Sequence, residues 1–341
     1  ILSKGVTVLK DGAISGNGKF ALTLSYEITN QNRIIQLWDL DSKKRIKNIE
    51  CPDFVENIYL SETGEFILGE TEKDTWVYNI KNKKSELFNE HFISNQFHKI
   101  STYGNKILRN NETYGLYLYD LKTKEITETN IKDKNIKIAC FMSDNSVAFV
   151  ENNKRKVQYK NIRSGKYESV NSEASRIIGI DCFNNLPFIA VATNNSIISI
   201  YHTGDNIRKR IFNNAVGNKI MVVNHDDNVI ACTNGTKKIQ TYNYYEYTKD
   251  NKKRGRWYRN VYPKEAPMID GNILDIAFNM ENQELVFILS NGRIIFCNGK
   301  YCRFHDSLEI ITNFNVDAYD FHGCVCSESI TNQIIQNGGL I

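Results

Sequence analysis

The residues whose types and spacing best suit chemistry stand between Tyr244 and Arg259. There Lys249, Lys252, Lys253, Arg254, Arg256 and Arg259 interleave with Tyr247, Trp257 and Tyr258. Cations can neutralise phosphates and rings can stack on bases, so the run suits a single strand of nucleic acid. The same residues also fit a long hairpin with a solvated basic tip, with Trp257 and Tyr258 packed back on a sheet. The sequence favours the hairpin, with a protein contact next and nucleic acid after it. A second cluster, Cys297, Cys302, His305, His322, Cys324 and Cys326, raises zinc, but its spacing matches neither a finger nor a ribbon. We expect no metal and no cofactor. Gly16-Asn-Gly-Lys19 lacks the Ser/Thr and glycine spacing of a phosphate loop. No nucleophile elbow, zincin motif or dinucleotide fingerprint is present. The expectation is a non-enzyme.

Composition sets the frame. The chain has 341 residues, 41% hydrophobic and 11% aromatic, with only 4 prolines. It can bury a large core and carries no disordered linker. A net charge of +4, from 43 basic and 39 acidic residues, is far from that of a dedicated nucleic-acid binder. No apolar run is long enough for a membrane helix, and no signal peptide is visible. Eight scattered cysteines read as small buried hydrophobes in a reducing cytoplasm. The chain starts at Ile1 without Met, so we expect a piece of a longer protein.

What must position these residues is a repeat. Trp38, Tyr78, Tyr119, Tyr159, Tyr201, Tyr242 and Phe296 each stand in an apolar run ahead of a polar turn, at steps of 40, 41, 40, 42, 41 and 54. Between them, runs of four to six apolar residues are bounded by Gly, Asn, Asp and Ser, as strands joined by hairpins are. Four short strands in about 40 residues make one blade of a propeller. The expected fold is therefore all-β: a seven-bladed β-propeller of four-stranded antiparallel blades with a short C-terminal helical tail. The propeller covers 1–315, with blades about 12–50, 52–90, 91–130, 131–172, 173–215, 216–266 and 267–312, and the tail covers 316–341. The aromatics sit on the third strands in a structural role. Tyr301 to Phe304 is the expected last strand, with Ile1 to Val8 free to add to it or replace it. The long sixth interval places the basic insertion between the third and fourth strands of one blade.

The turns after the third strands share one face of such a ring. They hold Lys43, Lys44, Lys83, Lys84, Lys122, Lys124 and Lys166, so that face should be basic. The opposite face carries loops in which Phe54, Phe92, Arg109 and Tyr114 are the residue types that anchor protein partners.

Trp38-Asp39, Tyr78-Asn79 and Tyr119-Asp120 resemble degenerate WD repeats, although the Gly-His pair of strong repeats is missing. The tail, Asp320-Phe-His-Gly323 followed by a short helix and Gln336-Asn-Gly-Gly-Leu-Ile341, resembles the C-termini of bacterial NACHT proteins with WD-type repeats. That resemblance implies a cytoplasmic sensing or regulatory propeller of an NLR-like STAND ATPase in antiphage defence. Its partner would be a phage protein or the ATPase core of its own longer chain. The alternative is a free-standing scaffold, binding protein or RNA, from an AT-rich eukaryote.

Overall fold

The computed structural model describes residues 7–309 except 28–32, 53–54, 72–73, 89–93, 97–98, 101, 134, 144, 151–154, 171–172, 174, 184–186, 204–207, 213–219, 225–228, 234–238, 250–251, 260–268, 270, 280 and 299–303. The expected helical tail and the Cys and His residues beyond 309 lie outside the described residues. The chain forms seven blades, at 7–50, 57–88, 102–131, 138–169, 177–212, 220–259 and 273–309. Each is four antiparallel strands in chain order. Blade 1 shows the plan: Thr7–Ile14, Phe20–Glu27, Arg33–Asp39 and Lys44–Glu50. Except between blades 2 and 3, the first strands of neighbouring blades lie against one another around the centre. The fourth strands form the exposed rim, as in Lys44–Glu50 and Lys84–Phe88.

A strand turns alternate side chains to opposite faces. In a propeller both faces of a blade meet a neighbour, so middle strands read as unbroken apolar runs. Phe188–Thr193 is buried at every position. The buried apolar side chains fall into seven clusters, each spanning the gap between two adjacent blades. One joins Ile14, Ala21 and Trp38 of blade 1 to Ala277, Val286 and Phe296 of blade 7. The ring is therefore closed.

Among the described residues, closure uses no shared strand. Thr7–Ile14 is the first strand of blade 1, and Phe304–Glu309 is the fourth strand of blade 7, starting where the expected Tyr301–Phe304 strand ends. Of the Ile1–Val8 segment, Thr7 and Val8 belong to the first strand of blade 1, and residues 1–6 lie outside the described residues. The join is a tight seam instead. A Cβ on Gly12 would stand 2.9 Å from Ile288 Cγ2, and one on Gly18 would stand 2.3 Å from the Phe278 carbonyl oxygen. Asp41 Oδ1 accepts from Asn279 Nδ2 at 2.9 Å and from Asn282 Nδ2 at 2.8 Å. Lys19 pairs with Glu281, and Lys43 with Asp306.

Carboxylates tie the inner strands. Asp275 Oδ1 accepts from the Ile276 N–H and its Oδ2 from the Ile14 N–H of blade 1, both at 2.8 Å. Asp11 repeats this toward blade 2, accepting from Gly12 N–H at 2.8 Å and Ile58 N–H at 2.9 Å. Asp181 does so from blade 5 to blade 6, with Cys182 N–H at 3.0 Å and Val223 N–H at 3.2 Å. Asp11 and Asp275 sit at bulges in their strands, where a side chain and an N–H are re-aimed out of the ladder.

The register refines the repeat. Trp38, Tyr78, Tyr119, Tyr201 and Tyr242 each pair with the second residue of their blade's second strand: Ala21, Ile67, Ile107, Ile189 and Ile230. In blades 4 and 7 that position belongs to Lys160 and Cys297, and the aromatics Tyr159 and Phe296 come one residue earlier. One residue reverses the face. The five equivalent aromatics close the gap to the preceding blade, whereas Phe296 packs forward on blade 1 and Tyr159 forward on blade 5. Lys160 reaches back instead, donating to the Asn130 carbonyl of blade 3 at 3.2 Å. Correctly aligned, the positions 38, 78, 119, 160, 201, 242 and 297 are spaced by 40, four steps of 41, and 55.

Burial raises the Asp11 carboxyl to about 7, with Asp275 adding to the rise and the two backbone N–H groups opposing it. The unfolded chain would ionise Asp11 near 3.8. Between these values the fold holds the proton more tightly, so this group's share of stability falls as pH rises from about 4 to about 7 and is flat above. Unfolding free energy measured by urea titration should therefore show a shallower decline from about pH 5 to about pH 8 in Asp11→Asn than in the wild type. An identical slope in the two proteins would contradict the assignment.

Candidate interaction surfaces

The residue after the third-strand aromatic has a local task. Asp39 Oδ1 accepts from Ser42 N–H at 2.9 Å, and Asp120 Oδ1 from Lys122 N–H at 2.8 Å and Thr123 N–H at 2.9 Å. Asn79 and Asn161 hold their turns in the same way. Each turn then needs one left-handed residue, supplied by Lys43, Lys83, Lys124 and Gly165 with φ of 55°, 60°, 64° and 69°. The Trp-Asp-like pairs are thus an inter-blade filler followed by a turn former. Three turn lysines are also engaged among the described residues, Lys166 with Glu168 of its own blade. Lys43 meets Asp306 and Lys124 meets Glu86, each on the fourth strand of the preceding blade. The basic turn face is partly neutralised by the ring's own acids.

On the other face, Phe54, Phe92 and residues 263–268 lie outside the described residues. Arg109 sits within the second strand of blade 3, Lys106–Asn111, and not in the following loop where the sequence placed it. Only 3% of it is exposed. Its guanidinium lies 4.8 Å from the Phe88 ring of blade 2 and 5.6 Å from the Tyr119 ring of its own blade. The strand runs two residues further than the turn-forming Asn residues suggested, so the side chain is swept into the gap between blades. Tyr114 does stand in the loop. Its N–H is held by Asn111 Oδ1 at 2.8 Å, and its ring meets Tyr117 edge-on with centroids 5.4 Å apart. Gly115 follows with φ of 69°, where a Cβ would come 2.1 Å from the Ile131 carbonyl oxygen. Tyr114 is thus half-buried on a fixed turn, a preorganised presentation.

The basic insertion is a two-stranded extension of blade 6. Its third and fourth strands, Ile239–Lys249 and Lys252–Arg259, pair from Tyr242 with Arg259 out to Lys249 with Lys252. Lys252, Lys253, Arg254, Arg256, Trp257, Tyr258 and Arg259 all fall in the returning strand. The packing of Trp257 and Tyr258 expected from sequence lies outside what is described.

The centre of the ring is built of joining contacts. Ser94–Gln96, between blades 2 and 3, enters the first-strand layer and pairs with Ile138 of blade 4 and Gly179 of blade 5. Tyr59 donates to Glu70 Oε2 at 2.9 Å, and burial, then Glu70, raises its hydroxyl above the ordinary tyrosine range. Among the described residues no group of three His, Cys, Asp or Glu side chains is arranged to hold a metal. Cys51, Cys140, Cys182, Cys232 and Cys297 are all buried. Burial, then the neighbouring Cys182 thiol at 3.2 Å, pushes the Cys140 thiol well up.

The placement of Arg109 is testable. Arg109→Ala should destabilise the ring by about 2 kcal/mol through loss of two desolvated cation–π contacts and their packing. Arg109→Lys should recover only part of that, because a lysine lacks the planar stack. Urea unfolding of both variants measures it, and wild-type stability in Arg109→Ala would contradict those contacts.

No protein-family model and no curated protein sequence matches the chain. Solved structures do. Hsv2 of Kluyveromyces lactis is similar with a TM-score of 0.60 and 10% identity, over 89% of this chain and 100% of that one. A chain of the mitotic checkpoint complex matches with a TM-score of 0.58 and 12% identity, over 85% and 90%. The WD40 repeats of RRP9 match with a TM-score of 0.55 and 10% identity, over 84% and 89%. At such identities the likeness is one of fold. The chain is a seven-bladed β-propeller built like WD40 propellers.

Proposed function

We propose that this chain is a non-catalytic protein-recognition module, working in the cytoplasm as the C-terminal sensing and regulatory propeller of a bacterial NLR-like NACHT/STAND ATPase in antiphage defence. The observation that carries the recognition reading is the division of labour in the ring. Among the described residues, the first-strand carboxylates Asp11, Asp181 and Asp275 each accept an N–H from the next blade and so hold first strands together. Side chains suited to contact stand on fixed loops outside, as Tyr114 does. A rigid scaffold with displayed loops is an architecture for binding. The similarity to a chain of the mitotic checkpoint complex, an assembly by its description, is consistent with protein partners. The resemblance of the tail to NACHT-protein C-termini supports the defence context, with a phage protein or the ATPase core as partner.

The reading is tested in cells carrying the complete gene. A photo-crosslinking amino acid at Tyr114 should capture a phage protein only after infection, or the ATPase core of the same chain before it. Tyr114→Glu should raise phage plating by about tenfold or more, as loss of an aromatic interface anchor does. Equal plating with and without the gene, across a panel of phages, would overturn the defence reading.

A further inference from the structure

The extended hairpin of blade 6 carries the charge surplus of the whole molecule. Between Tyr244 and Arg259 stand six Lys and Arg against two acids, Glu246 and Asp250, a surplus of four. The complete chain has 43 Lys and Arg against 39 Asp and Glu, also a surplus of four. Everything outside the hairpin is therefore balanced, 37 against 37.

The backbone register sorts these residues into two faces. Cross-strand pairs alternate sides with a period of two. One side carries the pairs Tyr242–Arg259, Tyr244–Trp257, Glu246–Gly255 and Thr248–Lys253. At its base Tyr242 is fully buried and the Tyr244 ring lies 5.2 Å from Phe188 of blade 5, while Asn243 at the base of the other side is buried as well. The other side carries Asn243–Tyr258, Tyr245–Arg256, Tyr247–Arg254 and Lys249–Lys252. That set holds three tyrosines, four cations and no acid. Two of its pairs set a tyrosine directly across from an arginine. From Tyr244 to Arg259 there is no Leu, Ile, Val, Phe or Met, so the hairpin lacks the aliphatic wedge that a membrane-inserting element uses.

We propose that the Tyr245–Arg256 and Tyr247–Arg254 side of this hairpin binds single-stranded nucleic acid. Arginine and lysine neutralise the phosphates, and the tyrosines offer base-stacking platforms that tolerate any sequence. Residues two apart on a strand are about 7 Å apart, so successive rings can serve successive bases. An acidic polypeptide would engage the cations but leave the paired rings without a task, which is why the register favours a strand with bases. This activity is separate from the loop-face recognition proposed above.

Fluorescence anisotropy of a fluorescein-labelled oligouridylate of about twelve nucleotides, titrated with the chain at about 50 and about 200 mM salt, tests it. Saturable binding that weakens with salt is expected. Arg254→Glu with Arg256→Glu should weaken it at least about tenfold. Tyr245→Ala with Tyr247→Ala should also weaken it at least about tenfold, at an unchanged salt slope. Circular dichroism and thermal melting matching the wild type establish that the variants fold. The proposal is overturned by absence of binding at the lower salt, by a folded tyrosine variant that binds as the wild type does, or by tighter binding of duplex RNA, polyglutamate or phosphatidylserine vesicles than of the oligonucleotide.

Discussion

A four-stranded sheet with two apolar faces cannot bury both by itself, and that constraint organises the whole molecule. Each blade covers one face of the next, and the seventh covers the first. Trp38 on blade 1 is buried only because Phe296 and Val286 arrive from blade 7. Tyr242 on blade 6 depends in the same way on Phe188 and Ala190 of blade 5. No blade is a self-sufficient unit, and closing the ring is what completes every core.

Apolar packing has little direction, so the angle between blades needs polar contacts. The inner carboxylates supply them. An Asp at a bulge accepts one N–H from its own strand and one from the next blade, fixing two first strands at a set height. Burial of Asp11 costs stability as that carboxyl ionises, which links the ring's geometry to pH. At the rim, Lys43 and Lys124 make comparable ties through ion pairs, which matter less because solvent screens them.

The period, the seven units and the place of the insertion were legible because hairpin turns and third-strand aromatics are local signals. The face of a single residue was not. Tyr159 precedes Lys160-Asn161 and Phe296 precedes Cys297-Asn298, so in both blades the aromatic stands one place early. Only pairing with the second strand exposes that slip. Arg109 looked like a loop residue because Asn110-Asn111 follows it, yet the strand continues through both. Asp11 and Asp275 gave no signal, since their partners are 47 and 261 residues away. The hairpin faces were hidden for the same reason: Tyr245 and Arg256 become neighbours only once the register is known.

The account stands on the packed and hydrogen-bonded seam that joins blades 1 and 7. Amide hydrogen exchange at Ile14, the N–H accepted by Asp275, is the most direct measurement. Ile14 should exchange as slowly as the buried strand Leu285 to Leu289, and Asp275→Ala should accelerate it by about tenfold or more while residues of blade 4 keep their rates. Rapid exchange at Ile14 in the wild type, or no change there in Asp275→Ala, would contradict it.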